Sequence, residues 1–184
     1  MHKCLIVMLA LLFCAGATQS AAQTLAPAER AFFDEHISEL VQIQPRRLAD
    51  PAMPRVFAAP FYEVTITVHE GDSTGTTKFI VARAGSRLVS VRPPSGDADL
   101  PDLPKMMNPG FRLTSADDAR VLQQALDVAY PIVGSGDKKA EANRRVGNRW
   151  IFVRGVFFGK DMGFIFETDA NGAIVAVKYS LKLP

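Results

Sequence analysis

Cysteine is nearly absent from this chain of 184 residues, which contains two, Cys4 and Cys14. Both lie in an apolar stretch near the N-terminus, so residues 23–184 have no thiol to form a disulfide or to ligate a metal. Disulfide scaffolds and thiolate zinc sites are therefore excluded for that part of the chain. Its stability must come from a hydrophobic core.

Histidine and recognisable catalytic motifs are also scarce. His36 and His69 are the histidines outside the N-terminal stretch, and no Gly-x-Ser-x-Gly, His-Glu-x-x-His, phosphate-loop or dinucleotide motif occurs. His36 and Glu39 have the spacing of an acid–base pair on one helix face, and His69-Glu70-Gly71-Asp72 has that of a metal-binding turn. Ordinary solvated side chains explain both patterns more simply. We therefore expect no catalytic residue, no metal and no cofactor, although enzymatic activity itself stays open.

Neither sign of charge is in clear excess. The sequence has 21 basic and 19 acidic residues and a formal net charge of +2. A protein that binds nucleic acid through its backbone phosphates usually carries a strong basic excess. We therefore expect no nucleic-acid partner.

The N-terminus has the three parts of a secretory signal peptide. Lys3 supplies positive charge, the apolar run Cys4–Ala15 follows it, and Ser20-Ala21-Ala22 provides the small residues of a cleavage site. As a helix, the run is too short to cross a bilayer core of ~30 Å. We expect cleavage before Gln23, which removes residues 1–22 and leaves a periplasmic or secreted chain without a membrane span. An uncleaved anchor is the alternative.

The C-terminal part of the chain alternates between apolar and polar residues with a period of two, which indicates β-strands. Arg149–Phe158 is an aromatic strand with two apolar faces, so it should lie centrally in its sheet. The strands Gly163–Thr168 and Ala173–Leu183 follow, joined through Asn171-Gly172, a pair that favours a tight turn. These features predict a three-stranded meander.

A similar order of elements is expected earlier in the chain. Pro27 and Pro45 bound a predicted helix, and residues 45–60, rich in proline, predict an irregular connector. A first meander then uses predicted strands at 62–69, 78–83 and 87–92. Farther on, Thr114 and Ser115 begin a second predicted helix, which Pro131 ends.

These elements predict an α+β fold of two helix-plus-three-strand-meander halves, 23–92 and 113–184, joined by a proline-rich linker at 93–112. The halves are similar in pattern, so internal duplication is one hypothesis. The antiparallel sheet or sheets would have their helices packed on one face. A single domain over 23–184, in which a cystatin-like or NTF2-like sheet wraps around one helix, is the alternative.

Basic residues near the C-terminal meander are the first candidates for binding. Arg144, Arg145 and Arg149 could together meet an anionic partner, with Arg154 nearby in sequence. Arg149 and Arg154 are five residues apart and should face opposite sides of a strand. Solvated surface is the simpler interpretation of this group.

Apolar and aromatic residues supply two further candidate groups. Trp150 and Tyr179 could anchor a protein partner, although burial is commoner for such side chains. Leu103, Met106 and Met107 lie in the polar linker. Their side chains either pack on the core or stay exposed until a partner binds them. We favour packing for both groups.

The function that these observations favour is that of an exported, non-catalytic protein-binding module, for example an inhibitor or an immunity-type protein. Its partner would be a protein, and its oligomeric state is not predicted. The alternative is a small-ligand carrier or a pocket enzyme, whose cavity would be lined by Phe152, Phe164, Phe166 and Tyr179.

Overall fold

The computed structural model describes residues 22–23, 25–34, 41–70, 73–92, 94–131, 143–157 and 159–184. Within these residues the chain forms helices and two antiparallel sheets, which confirms the α+β class. It divides into two compact units. The first unit contains the described residues up to Ala49 together with Phe61–Val91, and the second contains Asp50–Pro60 and Arg92–Pro184.

In chain order the elements are β1 (Ala22–Gln23), α1 (Pro27–Asp34), β2 (Val41–Leu48), α2 (Met53–Val56), β3 (Phe61–Glu70), β4 (Ser73–Ala84), β5 (Arg87–Val91), β6 (Ala98–Asp99), α3 (Leu103–Met106), α4 (Ala116–Ala129), β7 (Arg144–Val146), β8 (Arg149–Phe157), β9 (Lys160–Thr168) and β10 (Ile174–Ser180).

The first unit is a sheet with the strand order β1-β2-β3-β4-β5, and α1 packs on one of its faces. Alternate residues of β3, Tyr62 and Val64, lie in one buried cluster with Phe32 and Phe33 of α1. The rings of Phe33 and Tyr62 meet edge to face with their centroids 5.0 Å apart. The amphipathic alternation of β3 therefore supplies the surface on which the helix rests.

The prediction of one helix from Pro27 to Pro45 is wrong, because Pro45 lies within β2. Its partner across the sheet is Val64, and β1 pairs with β2 only at Arg47 and Leu48. Proline lacks the N–H needed for pairing on two sides and is tolerated where a strand is an edge. The proposed His36–Glu39 pair lies outside the described residues.

The two proline-rich segments contain regular structure that the sequence did not predict. Residues 45–60 include the end of β2 and the short helix α2, and residues 93–112 include β6 and α3. A backbone bridge joins Phe57 to Met107, and the Asn108 N–H donates to the carbonyl of Val56 at 2.8 Å. Residues 50–60 are thus tied to the second proline-rich segment within the second unit.

The second unit is a sheet with the strand order β6-β10-β9-β8-β7. The aromatic strand β8 is not central in the strict sense, but it pairs on both sides, with β9 and with the short strand β7. Strand β7 lies between the second predicted helix and the predicted aromatic strand, where the sequence predicted no strand. The two units resemble each other in having a helix and consecutive antiparallel strands. An origin by internal duplication stays a prediction.

Helix α4 begins after Ser115, where the sequence predicted a helix start, and its first turn has a capping box. The Ser115 side chain accepts from the backbone N–H of Asp118, and the Asp118 carboxylate accepts in return from the Ser115 N–H. This reciprocal pair satisfies N–H groups that have no partner inside the helix. Five residues of α4 are buried: Val121, Leu122, Ala125, Leu126 and Ala129.

Candidate functional site

The aromatic residues proposed to line a ligand cavity are packed against one another. Phe152 and Phe166 meet edge to face with centroids 5.4 Å apart, and Phe164 and Tyr179 do so at 5.2 Å. Tyr130, at the end of α4, lies 4.9 Å from the Phe164 ring centroid. All five side chains are buried. The rings proposed to line a cavity therefore contact one another in the core.

The apolar binding candidates are buried as well. Leu103, Met106 and Met107 are 2–6% exposed, and Tyr179 is 3% exposed. Trp150 retains 8% of its surface. These side chains pack on the core, which was the favoured interpretation of the sequence, and little of their surface is available to a partner in this conformation.

The three arginines, in contrast, are exposed and lie on one hairpin. We call residues 144–150 the basic hairpin: it consists of β7, a two-residue turn and the start of β8. Arg144 pairs across the hairpin with Ile151, Arg145 with Trp150, and Val146 with Arg149. Because side chains alternate between the faces of a strand, Arg144, Val146 and Arg149 share one face.

Val146 is the apolar residue at the centre of that face. It is 58% exposed, although valine is among the residues most often buried in proteins. Sequence reasoning missed it, since no strand was predicted at Arg144–Val146. The signal that could have found it is a valine directly after two arginines and before the turn residues Gly147 and Asn148.

The arginines of the basic hairpin differ in their partners. Arg149 Nε lies 3.0 Å from Glu167 Oε1, so its charge is compensated on the neighbouring strand. The Arg144 guanidinium donates to the carbonyl oxygen of Pro184. Arg145 Nε donates to the carbonyl oxygen of Gly147 at 2.9 Å, and its Cζ lies 5.1 Å from the centroid of the Trp150 ring.

The turn of the basic hairpin is fixed by the adjacent strand. Gly147 has φ +61°, a left-handed conformation that favours glycine. Asn148 donates from Nδ2 to the carbonyl of Thr168 at 3.3 Å, and the Thr168 N–H donates back to the Asn148 carbonyl at 3.0 Å. The hydrogen bonds to Thr168 therefore fix the backbone of this hairpin, from which its side chains project.

Arg154 does not belong to this basic surface, although the sequence grouped it there. Its side chain is 4% exposed and it forms an ion pair with Asp127 of α4. It also donates to the carbonyl oxygens of Leu126 and Tyr130. Its charge is thus used to hold the end of α4 against β8.

Metal binding has no support in the described part of the chain. No three His, Cys, Asp or Glu side chains there are grouped so that they could hold an ion. The proposed turn His69–Asp72 is not covered by this finding, because Gly71 and Asp72 lie outside the described residues and so does the side chain of His69.

None of the helices in the described ranges combines the length and the apolar character needed to span a membrane. Comparisons of the chain with protein-family models, curated proteins and solved structures found no match.

Proposed function

We propose that this chain is an exported, non-catalytic module that binds a protein through the basic hairpin of its second unit. Inhibitors and immunity-type proteins are the functional classes that such a module suits. The observation that carries the proposal is the exposed Val146 flanked on one face by Arg144 and Arg149.

Three features support a protein as the partner. Exposed apolar surface rimmed by charged groups is typical of protein–protein interaction sites. Arginine is enriched at such interfaces, because its planar fork can form several hydrogen bonds and its stem packs on apolar groups. The turn anchored by Asn148 and Thr168 also lowers the ordering entropy that binding would otherwise cost.

Export and the absence of catalysis are part of the proposal, and they have separate support. For export, the support is the N-terminal sequence, whose basic residue, apolar run and small residues are typical of a signal peptide. The packed rings of Phe152, Phe164 and Phe166 favour a binding surface over an internal pocket.

The test is a pull-down with the mature chain from the exported fraction of its own source, comparing Val146→Asp with Val156→Asp. Val156 is 62% exposed on β8, so the control makes the same chemical change at a similarly exposed valine outside the basic hairpin. We expect a partner protein to be recovered in stoichiometric amount with the wild type and with Val156→Asp, and to be lost with Val146→Asp.

Two outcomes would contradict the proposal. One is equal recovery of the partner by both variants, which would place the interface elsewhere. The other is recovery of a copurified small molecule with no protein, which would favour a carrier. Circular dichroism of each variant should match that of the wild type, so that a lost partner reflects the surface and not the fold.

A further inference from the structure

Arg145 differs from the other arginines of the basic hairpin in how its side chain is held. The Nε–H is used by the Gly147 carbonyl, and the guanidinium lies over the indole of Trp150. The contact with the ring and the Nε hydrogen bond together restrict the rotamers of the side chain. The hydrogen bond uses Nε alone, so it leaves the N–H groups of the two terminal nitrogens for other partners.

No carboxylate compensates this charge within the described residues. Glu167, the acidic residue nearest in the sheet pattern, pairs with Arg149 on the opposite face, and Asp127 pairs with the buried Arg154. Within the described residues, the exposed guanidinium of Arg145 therefore has no ion-pair partner, and its hydrogen bond to Gly147 leaves the two terminal nitrogens for a ligand.

We infer that Arg145 is a preorganised receptor for a carboxylate carried by an acidic segment of the protein partner. This inference rests on the proposed function, and it adds the opposite face of the same hairpin to the surface that the partner contacts. A guanidinium whose Nε–H is already used can still bind a carboxylate end-on, because its two terminal nitrogens can donate two parallel N–H···O bonds. A flexible arginine loses rotamer freedom when it binds, whereas this one is already ordered by Trp150 and Gly147.

Trp150 gives the experiment a built-in reporter, because it is the single tryptophan of the chain. The ligand is a dye-labelled, end-capped hexapeptide of alternating glutamate and valine, and a second peptide has glutamine in place of glutamate. Binding is measured by anisotropy of the dye, and a change in Trp150 fluorescence of the unmodified protein locates it. We expect saturable binding of the glutamate peptide, weakened by salt, and none of the glutamine peptide.

The decisive variant is Arg145→Lys, which keeps the charge and loses the fork and the stacking. We expect it to bind the glutamate peptide about tenfold more weakly than the wild type. The matched control is Arg120→Lys on α4, which makes the same change at an exposed arginine outside the basic hairpin and should bind within about twofold of the wild type, since its charge is engaged by Asp117.

Several results would overturn the inference: no binding of the glutamate peptide, equal binding of the glutamine peptide, or wild-type affinity of Arg145→Lys. Stronger competition by inorganic phosphate than by acetate would assign the site to phosphate instead. If the inference fails while the pull-down still depends on Val146, the proposed function stands and only the role of Arg145 is lost.

Discussion

Arg154 of β8 donates a hydrogen bond to the carbonyl oxygen of Tyr130, the C-terminal cap of α4, at 2.6 Å. The same guanidinium donates to the Leu126 carbonyl at 3.2 Å and pairs with Asp127. The last carbonyls of a helix have no partner within it and carry partial negative charge. A buried cation from the sheet therefore satisfies the end of the helix that packs on it.

Replacing Arg154 with methionine should destabilise the second unit. The substitution keeps an unbranched apolar stem but leaves the Tyr130 carbonyl without its buried donor and the Leu126 carbonyl with the Tyr130 N–H as its donor, which should cost about 2–4 kcal/mol. The measurement is the free energy of unfolding in urea. Arg120→Met is the control, since Arg120 pairs with Asp117 on the exposed side of α4. It should lower the free energy of unfolding by less than about 1 kcal/mol. If Arg154→Met and Arg120→Met lowered the free energy of unfolding equally, Arg154 would not be the cap of the helix.

The role of Arg154 could not be predicted from the sequence. Its neighbours in β8 showed that a strand was present, but they did not show which helix terminus would lie against that strand. The class of fold, the start of a helix at Ser115 and the hairpin turn at Gly172 were predicted, because each depends on residues close in sequence. Contacts between α4 and β8 depend on tertiary packing, which a local pattern does not encode.

Gly172 occupies a site at which a side chain would collide with the segment before α4. Its φ is +78°, and a Cβ there would lie 2.3 Å from Cγ2 of Thr114. Gly172→Ala should cost about 1–2 kcal/mol for the left-handed backbone and about 1–3 kcal/mol more for the overlap. Gly147→Ala is the control, since Gly147 has φ +61° in the same unit and open space around it.

Adding Thr114→Ser should relieve part of the Gly172→Ala defect, because serine lacks the colliding methyl group and keeps the hydroxyl that bonds Asp118. Urea unfolding of the single and double variants measures the coupling. If the two substitutions are additive, the overlap with Thr114 is not the source of the cost.

Asp118 should make the stability of the second unit depend on pH in the acid range. Partial burial opposes its ionisation, but hydrogen bonds from Ser115 and Thr114 outweigh that effect and lower its pKa. A carboxyl group with a lowered folded pKa stabilises the fold above its unfolded pKa of about 4, and this contribution is lost as pH falls through the folded value. Asp118→Asn should therefore be less stable at neutral pH and lose less stability on acidification.

The control for Asp118 is Asp117→Asn, one position earlier and 82% exposed in its side chain. Urea midpoints at neutral and acidic pH should separate the two variants. The same pH dependence in Asp118→Asn as in the wild type would show that the capping box is not the titrating element.

The binding surface was the least predictable part of the molecule. The sequence identified Arg144, Arg145 and Arg149 but also grouped them with residues that the structure buries. Exposure of Val146 depends on β7 being a three-residue strand at the edge of the sheet, which its composition did not indicate. A short strand with two arginines has too few residues for a period to be recognised.

In the first unit, Tyr62 and Glu29 join β3 to the start of α1. The Tyr62 hydroxyl donates to Glu29 Oε1 at 2.6 Å, Arg47 lies 3.2 Å from the same oxygen, and Glu29 Oε2 accepts from the Ala26 N–H. Burial raises the pKa of Tyr62, and the hydrogen bond to Glu29 raises it further. Burial alone would raise the pKa of Glu29, but the hydrogen bonds and Arg47 together lower it.

Tyr62→Phe should therefore raise the pKa of Glu29 toward its ordinary value and reduce the stability of the first unit at neutral pH by about 1 kcal/mol. The sign follows from linkage: a lowered carboxyl pKa stabilises the fold above the unfolded value, and the variant reduces that lowering. Carboxyl-carbon NMR titration of Glu29 measures the first effect and urea unfolding the second. Tyr179→Phe in the second unit is the control and should leave the Glu29 titration unchanged. An unchanged Glu29 pKa in Tyr62→Phe would mean that Arg47 and the Ala26 N–H, and not the tyrosine hydroxyl, hold the carboxylate in its ionised form.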